Sequence, residues 1–112
     1  MRPIYHLLTR AEWDAARAAA EYRSASLATE GFVHFSFVDQ VAGSANRFYR
    51  DVDDLVAVQC DPNLIGAEIV VEDTYGSGVG FPHVYGPIPV TAAIAVHALR
   101  RDAGGDYVFP HP

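Results

Sequence analysis

Residues 4–16 read Ile-Tyr-His-Leu-Leu-Thr-Arg-Ala-Glu-Trp-Asp-Ala-Ala, and two periodicities meet inside them. Over Arg2 to Leu8 the pattern predicts a strand, with Ile4, His6 and Leu8 on one face and Tyr5 and Leu7 on the other. Thr9 is followed three residues later by Glu12, the spacing of a capping box. Alanine and arginine then favour a helix over 10–21, its apolar stripe formed by Trp13, Ala16 and Ala20 with Ala19 beside them. A strand feeding straight into a capped helix predicts a domain of mixed layers.

Working outward, 22–26 is polar and expected to be a loop, and Gly31 suits the end of a short helical stretch, SLATEG. The next segment, GFVHFS at 31–36, alternates again: Phe32, His34 and Ser36 on one face, Val33 and Phe35 opposite. Ser36 is placed to cap a helix over 37–49, with Asp39 at its third position. DLVAVQCD at 54–61 and the stretch 67–72 predict buried strands, and 73–80 predicts a flexible glycine-rich loop. FPHVYGPIP at 81–89 is expected to be a rigid, proline-braced loop. Residues 90–99 carry helix-favouring alanines but alternate at period two, and the strand is preferred; 107–109 closes the chain with an edge strand. The sum is a single α+β domain over 1–112, a mostly antiparallel split sheet with five or six strands and two or three helices.

Composition narrows the function. Of 112 residues, 50% are hydrophobic and 12% aromatic, enough for a packed core and against disorder. No apolar run approaches the ~18 residues of a membrane span, and the start lacks a secretory cleavage pattern, so a cytoplasmic protein is expected. The formal net charge is −6, the eight basic residues are all arginine, and none lies between Asp51 and Leu99. That distribution argues against binding long nucleic acid, and the lack of lysine removes Schiff-base chemistry. The single Cys60 rules out an internal disulfide.

Histidines carry what chemistry remains. His6 sits on a strand face between Ile4 and Leu8, either a core ring satisfied by a carbonyl or a residue at a cleft. His34 and Ser36 stand about 7 Å apart on one strand face, where an imidazole can serve as general base. His83 and Tyr85 share the aromatic 81–89 segment, and His97 and His111 have no supporting context. Arg47 is read either as a partner for a ligand phosphate or carboxylate, or as a surface cation paired with Asp51 or Asp54. A zinc site of His6, His34 and His83 lacks any local ligand spacing, so no metal is expected. Neither a nucleophile elbow nor a phosphate loop with its lysine is present.

The strings IYHLLTRAEWDAA, SLATEGFVHFS, ANRFYRDVDDLV and FPHVYGPIP together resemble the family catalogued as domain of unknown function 952, from Ile4 to Val108. That resemblance implies an ADP-ribosyltransferase-like fold, similar to tRNA 2′-phosphotransferases, whose Y-H-G-T and V-H-L-S motifs are matched by Tyr5-His6 and Val33-His34-Phe35-Ser36. It implies His6 and His34 as catalytic positions and a cleft between two sheets for NAD. The departures are Leu7-Leu8 in place of Gly-Thr, no matching arginine set and no acceptor-activating glutamate. The expectation is an enzyme-like domain binding a nucleotide or other ribose-bearing small molecule through His6, His34, Ser36, Arg47, His83 and Tyr85. A non-catalytic module for a partner protein, or an enzyme on another metabolite, stays open.

Overall fold

The first strand, β1, runs Ile4–Thr9, and both of its faces are covered. The structure is a computed structural model that describes residues 1–110. β1 pairs antiparallel with β4 (Leu55–Cys60), from Ile4 opposite Cys60 to Thr9 opposite Leu55, and β4 pairs on its other side with β8 (Ala93–Ala98). Ile4 and Leu8 join Val56, Val58 and Cys60 in one apolar cluster, under Trp13 and Ala16. Tyr5 and Leu7 join Leu55 and Ala57 in a second, under Val41 and Ala45. Each fully buried aliphatic side chain here contributes roughly 1.5–3 kcal/mol.

Thr9 caps α1 (Arg10–Ala19) as its spacing predicts: its hydroxyl oxygen accepts the Glu12 N–H, and Glu12 accepts the Thr9 N–H. The helix ends two residues early. Ala20 turns left-handed at φ 65°, so Ala19 and Ala20 are exposed instead of completing the apolar stripe. The chain then enters β2 (Glu21–Tyr22), at the junction of the expected helix and loop, and pairs with β7 (Ile88–Pro89). Ser24 caps the short α2 (Ala25–Thr29), and Gly31, at φ 90°, leaves it.

A second sheet has the order β3 (Val33–His34), β6 (Phe81–Val84), β5 (Ile69–Glu72). Val33, Val84 and Ile69 lie opposite one another and face the first apolar cluster, while His34, opposite His83, faces the other way. The 81–89 segment is therefore not the expected loop; its first half is the central strand of this sheet, and His83 is fully buried. Pro82 argues for a loop because a central strand needs its N–H groups. Here the Phe35 N–H reaches the Pro82 carbonyl at 3.0 Å, Pro82 has no hydrogen to return, and β3 stops at His34. The two sheets join at an isolated bridge, Tyr5 to Ser36, with both N–H···O distances 2.8 Å.

Ser36 does not cap the following helix. A 3-10 turn at Val38–Gln40 comes first, and the Gln40 side chain accepts the Phe37 N–H at 2.9 Å, leaving Ser36 to the sheet bridge. α3 (Val41–Phe48) follows and buries Val41 and Ala45. Residues 90–99 resolve as a 3-10 turn, Val90–Ala92, and then β8. β9 (Arg100–Arg101) and β10 (Tyr107–Val108) form a final hairpin, and His111 lies outside the described residues. Every named strand pair is antiparallel, and among the described residues no helix is long and apolar enough to cross a membrane.

Candidate functional site

A cavity of about 560 Å³ opens beside the Tyr5–Ser36 bridge, with residues of β1 and β3 in its wall. It is lined by His6, His34, Ser36 and His83, which come from three strands and the bridge, and by α2 and α3 residues and the 73–80 loop. Its wall is aromatic, with Tyr5, Tyr22, Tyr49, Tyr75, Phe48 and Phe81, and no lysine or arginine lines it. That size and lining suit a small organic ligand.

His6 is held on both sides. Its Nδ1 lies 2.6 Å from the His34 carbonyl oxygen and its Nε2 lies 3.0 Å from the Tyr22 hydroxyl. A carbonyl only accepts, so Nδ1 carries the hydrogen and Tyr22 donates to Nε2. Burial pushes the imidazole down to about 4, outweighing the carbonyl contact, so His6 is neutral at pH 7. Burial, with help from Glu12, pushes the Tyr22 phenol up. A proton does not pass from such a phenol to such an imidazole at neutral pH. His6 therefore orients Tyr22, and both readings of His6, satisfied core ring and cleft residue, apply at once.

His34 is half-exposed, and its Nε2 lies 2.8 Å from Glu30 Oε2. Its Nδ1 makes no hydrogen bond among the described residues. A carboxylate orienting one ring nitrogen while the other stays available is the arrangement of a general base. His83 stacks on Phe32, ring centroids 4.0 Å apart, and meets the His34 ring edge-on at 5.2 Å. His83 Nδ1 lies 3.0 Å from Glu72 Oε1, and its buried Nε2 has no partner among the described residues. Leaving such an atom unpaired costs about 1–3 kcal/mol. The Tyr85 hydroxyl donates to the same Glu72 oxygen, and these two bonds hold the Glu72 carboxyl below its ordinary range. Tyr85 itself is exposed and lies outside the cavity lining, where it steadies Glu72.

Ser36 Oγ and Ser44 Oγ are 3.1 Å apart on the cavity wall. Arg47 takes neither Asp51 nor Asp54; its guanidinium lies over the rings of Phe48 and Tyr75, at 5.1 and 4.7 Å. In the 73–80 loop that carries Tyr75, the Asp73 carboxylate accepts the Ser77 and Gly78 N–H groups at 3.0 and 2.7 Å. His97, which lacked context in the sequence, reaches Gln59 at 2.8 Å and packs beside Tyr5 and Phe109, away from the cavity. Among the described residues no group of three or more His, Cys, Asp or Glu is arranged to hold a metal ion.

Sequence reasoning missed Tyr22, Glu30 and Ser44 as site residues. Tyr22 sits on a two-residue strand, too short to show alternation, and Ser44 is placed by a helix that starts later than expected. Glu30 stands four residues before His34, but Gly31 lies between them and hides the pairing.

The family model described as "Protein of unknown function (DUF952)" matches residues 7–96. No functionally curated protein matches the chain. Among solved structures, the crystal structure of protein CC0527 from Caulobacter crescentus is 34% identical, with a TM-score of 0.84 over 95% of this chain and 93% of that one. The solution structure of the same Caulobacter crescentus protein gives a TM-score of 0.80 at 34% identity, over 95% and 91%. With a matching model over most of its length and a relative at this identity, the chain belongs to the DUF952 family, proteins of unknown function.

Proposed function

We propose that the cavity is the active site of an enzyme acting on a nucleotide or another ribose-bearing small molecule, within an ADP-ribosyltransferase-like plan of two sheets. Convergence carries this reading: His6, the His34–Ser36 pair and His83 come from three segments far apart in sequence, and all line one cavity of about 560 Å³. Dispersed histidines would have favoured a module that recognises a partner through its surface. The aromatic wall offers faces for a base, and the serine and tyrosine hydroxyls offer partners for a sugar. His34, oriented by Glu30, takes a proton from one ligand hydroxyl at Nδ1; the Tyr22 oxygen, its own hydrogen held by His6, accepts from a neighbouring ligand hydroxyl.

NAD fits in part. Its base and ribose suit this lining, but a pyrophosphate would find no arginine or lysine on the wall, only Arg47 stacked against Phe48 and Tyr75. Smaller nucleosides and nucleotides are therefore placed ahead of it.

Calorimetric titration with adenosine, nicotinamide riboside, ADP-ribose and NAD, on the wild type and on His34→Ala, tests the reading. Saturable heat with at least one ligand, and turnover lost in His34→Ala, is the expected result. Binding without any product over hours would make the cavity a sensor site, and no heat with any of the four would overturn the ribosyl reading.

A further inference from the structure

Hydrogen positions around the cavity follow from which partners can only accept. The Tyr22 hydroxyl hydrogen is committed to His6 Nε2, because His6 already donates from Nδ1 to the His34 carbonyl. The Tyr22 oxygen keeps only lone pairs. A carboxylate likewise only accepts, so Glu30 fixes the hydrogen of neutral His34 on Nε2 and leaves a lone pair at Nδ1. Glu72 fixes the hydrogen of neutral His83 on Nδ1 and leaves a lone pair at Nε2, the buried atom that finds no partner among the described residues. Three separate contacts, to a carbonyl and to two carboxylates, thus leave an acceptor on each of Tyr22, His34 and His83. Tyr22, His34 and His83 all line the cavity, and no cationic side chain does.

We propose that the cavity selects its ligand by hydrogen-bond donors: it receives the cis-diol of an uncharged or cationic nucleoside and rejects phosphate at that end. The proposal rests on the ribosyl reading above and sharpens it to the substrate's sugar hydroxyls. A diol supplies two O–H donors, one for the Tyr22 oxygen and one for His34 Nδ1. A phosphate supplies only acceptors and negative charge, and would face the lone pairs of Tyr22 and His34 with Glu30 beside them and His83 behind. Any phosphate the ligand carries must then lie outward, where Arg47 caps Phe48 and Tyr75.

Two measurements on the full chain test this. Nitrogen-15 NMR of the ligand-free protein at about pH 8, above the ordinary imidazole range, is expected to show His6 and His83 protonated on Nδ1 and His34 on Nε2. The opposite tautomer at either His34 or His83 overturns the proposal whatever binds. Calorimetry then compares adenosine, 2′,3′-dideoxyadenosine and adenosine 2′-monophosphate. Loss of the diol is expected to weaken binding about tenfold or more, the 2′-phosphate to abolish it, and inorganic phosphate not to compete. Equal binding of the dideoxy compound, or displacement by inorganic phosphate, overturns donor selection. If no nucleoside binds, the ribosyl reading falls, and the tautomers alone decide the acceptor arrangement.

Discussion

Acidification tests the placement of His6 directly. In the unfolded chain its imidazole titrates near the ordinary 6.5, whereas in the fold burial pushes it down to about 4. Between these values the unfolded state binds the extra proton, so stability rises with pH across the window and falls as pH is lowered through it. The contribution is fully present above about pH 7. At about pH 5 the solution is 1.5 units below the ordinary value, and at about 1.4 kcal/mol per unit the loss is about 2 kcal/mol. Glu72 and Asp73, held below the ordinary carboxylate range by their hydrogen bonds, lose their contribution only at lower pH, so stopping near pH 5 keeps the effects apart. Urea unfolding of the wild type and His6→Asn at several pH values from about 7.5 to 5 reads the difference. Asn can imitate the Nδ1–H donor to the His34 carbonyl without titrating, so the variant's pH slope is expected to be shallower by that amount. A wild type and variant with equal slopes would refute the buried, neutral assignment of His6.

Three other outcomes are expected. Thr9→Ala removes the α1 cap and is expected to cost about 1 kcal/mol in urea unfolding while leaving ligand titrations unchanged; a loss of binding would tie the cap to the cavity. Burial pushes the Cys60 thiol up to about 12, so a thiol reagent at about pH 8 is expected to react about a thousandfold slower with the native chain than with the chain in urea. Comparable rates would place Cys60 at an opening and not in the core. His83→Phe keeps the stack on Phe32 and removes the unpaired nitrogen, so stability is expected to stay within about 1 kcal/mol while nucleoside binding weakens. Destabilisation of about 3 kcal/mol or more would show the Glu72 contact to be structural.

Much of the frame was legible because one side-chain period governs each long element. Alternation over Ile4–Thr9 assigns both apolar clusters correctly, and the Thr9–Glu12 spacing marks the helix start without any tertiary information. The errors lie where a local rule met a tertiary contact. Pro82 reads as a loop residue because nothing local shows that its neighbour needs only its carbonyl. Ser36 reads as a cap because its backbone partner, Tyr5, is distant in the chain. Of the site, His6, His34, Ser36 and His83 are readable as polar residues in apolar or aromatic surroundings. Tyr22 and Glu30 are not, since each acquires its role from a histidine that only folding brings near.

β1 has no spare face, and this constrains how the protein can change over generations. Ile4 and Leu8 anchor one cluster, Tyr5 and Leu7 the other, and His6 sits between them. Deleting or inserting one residue there would exchange the two sets and expel the imidazole in the same event. Change in the cavity must therefore enter through exposed rim positions such as Glu12, Phe48 and Tyr75, where a replacement alters the lining without unseating the scaffold.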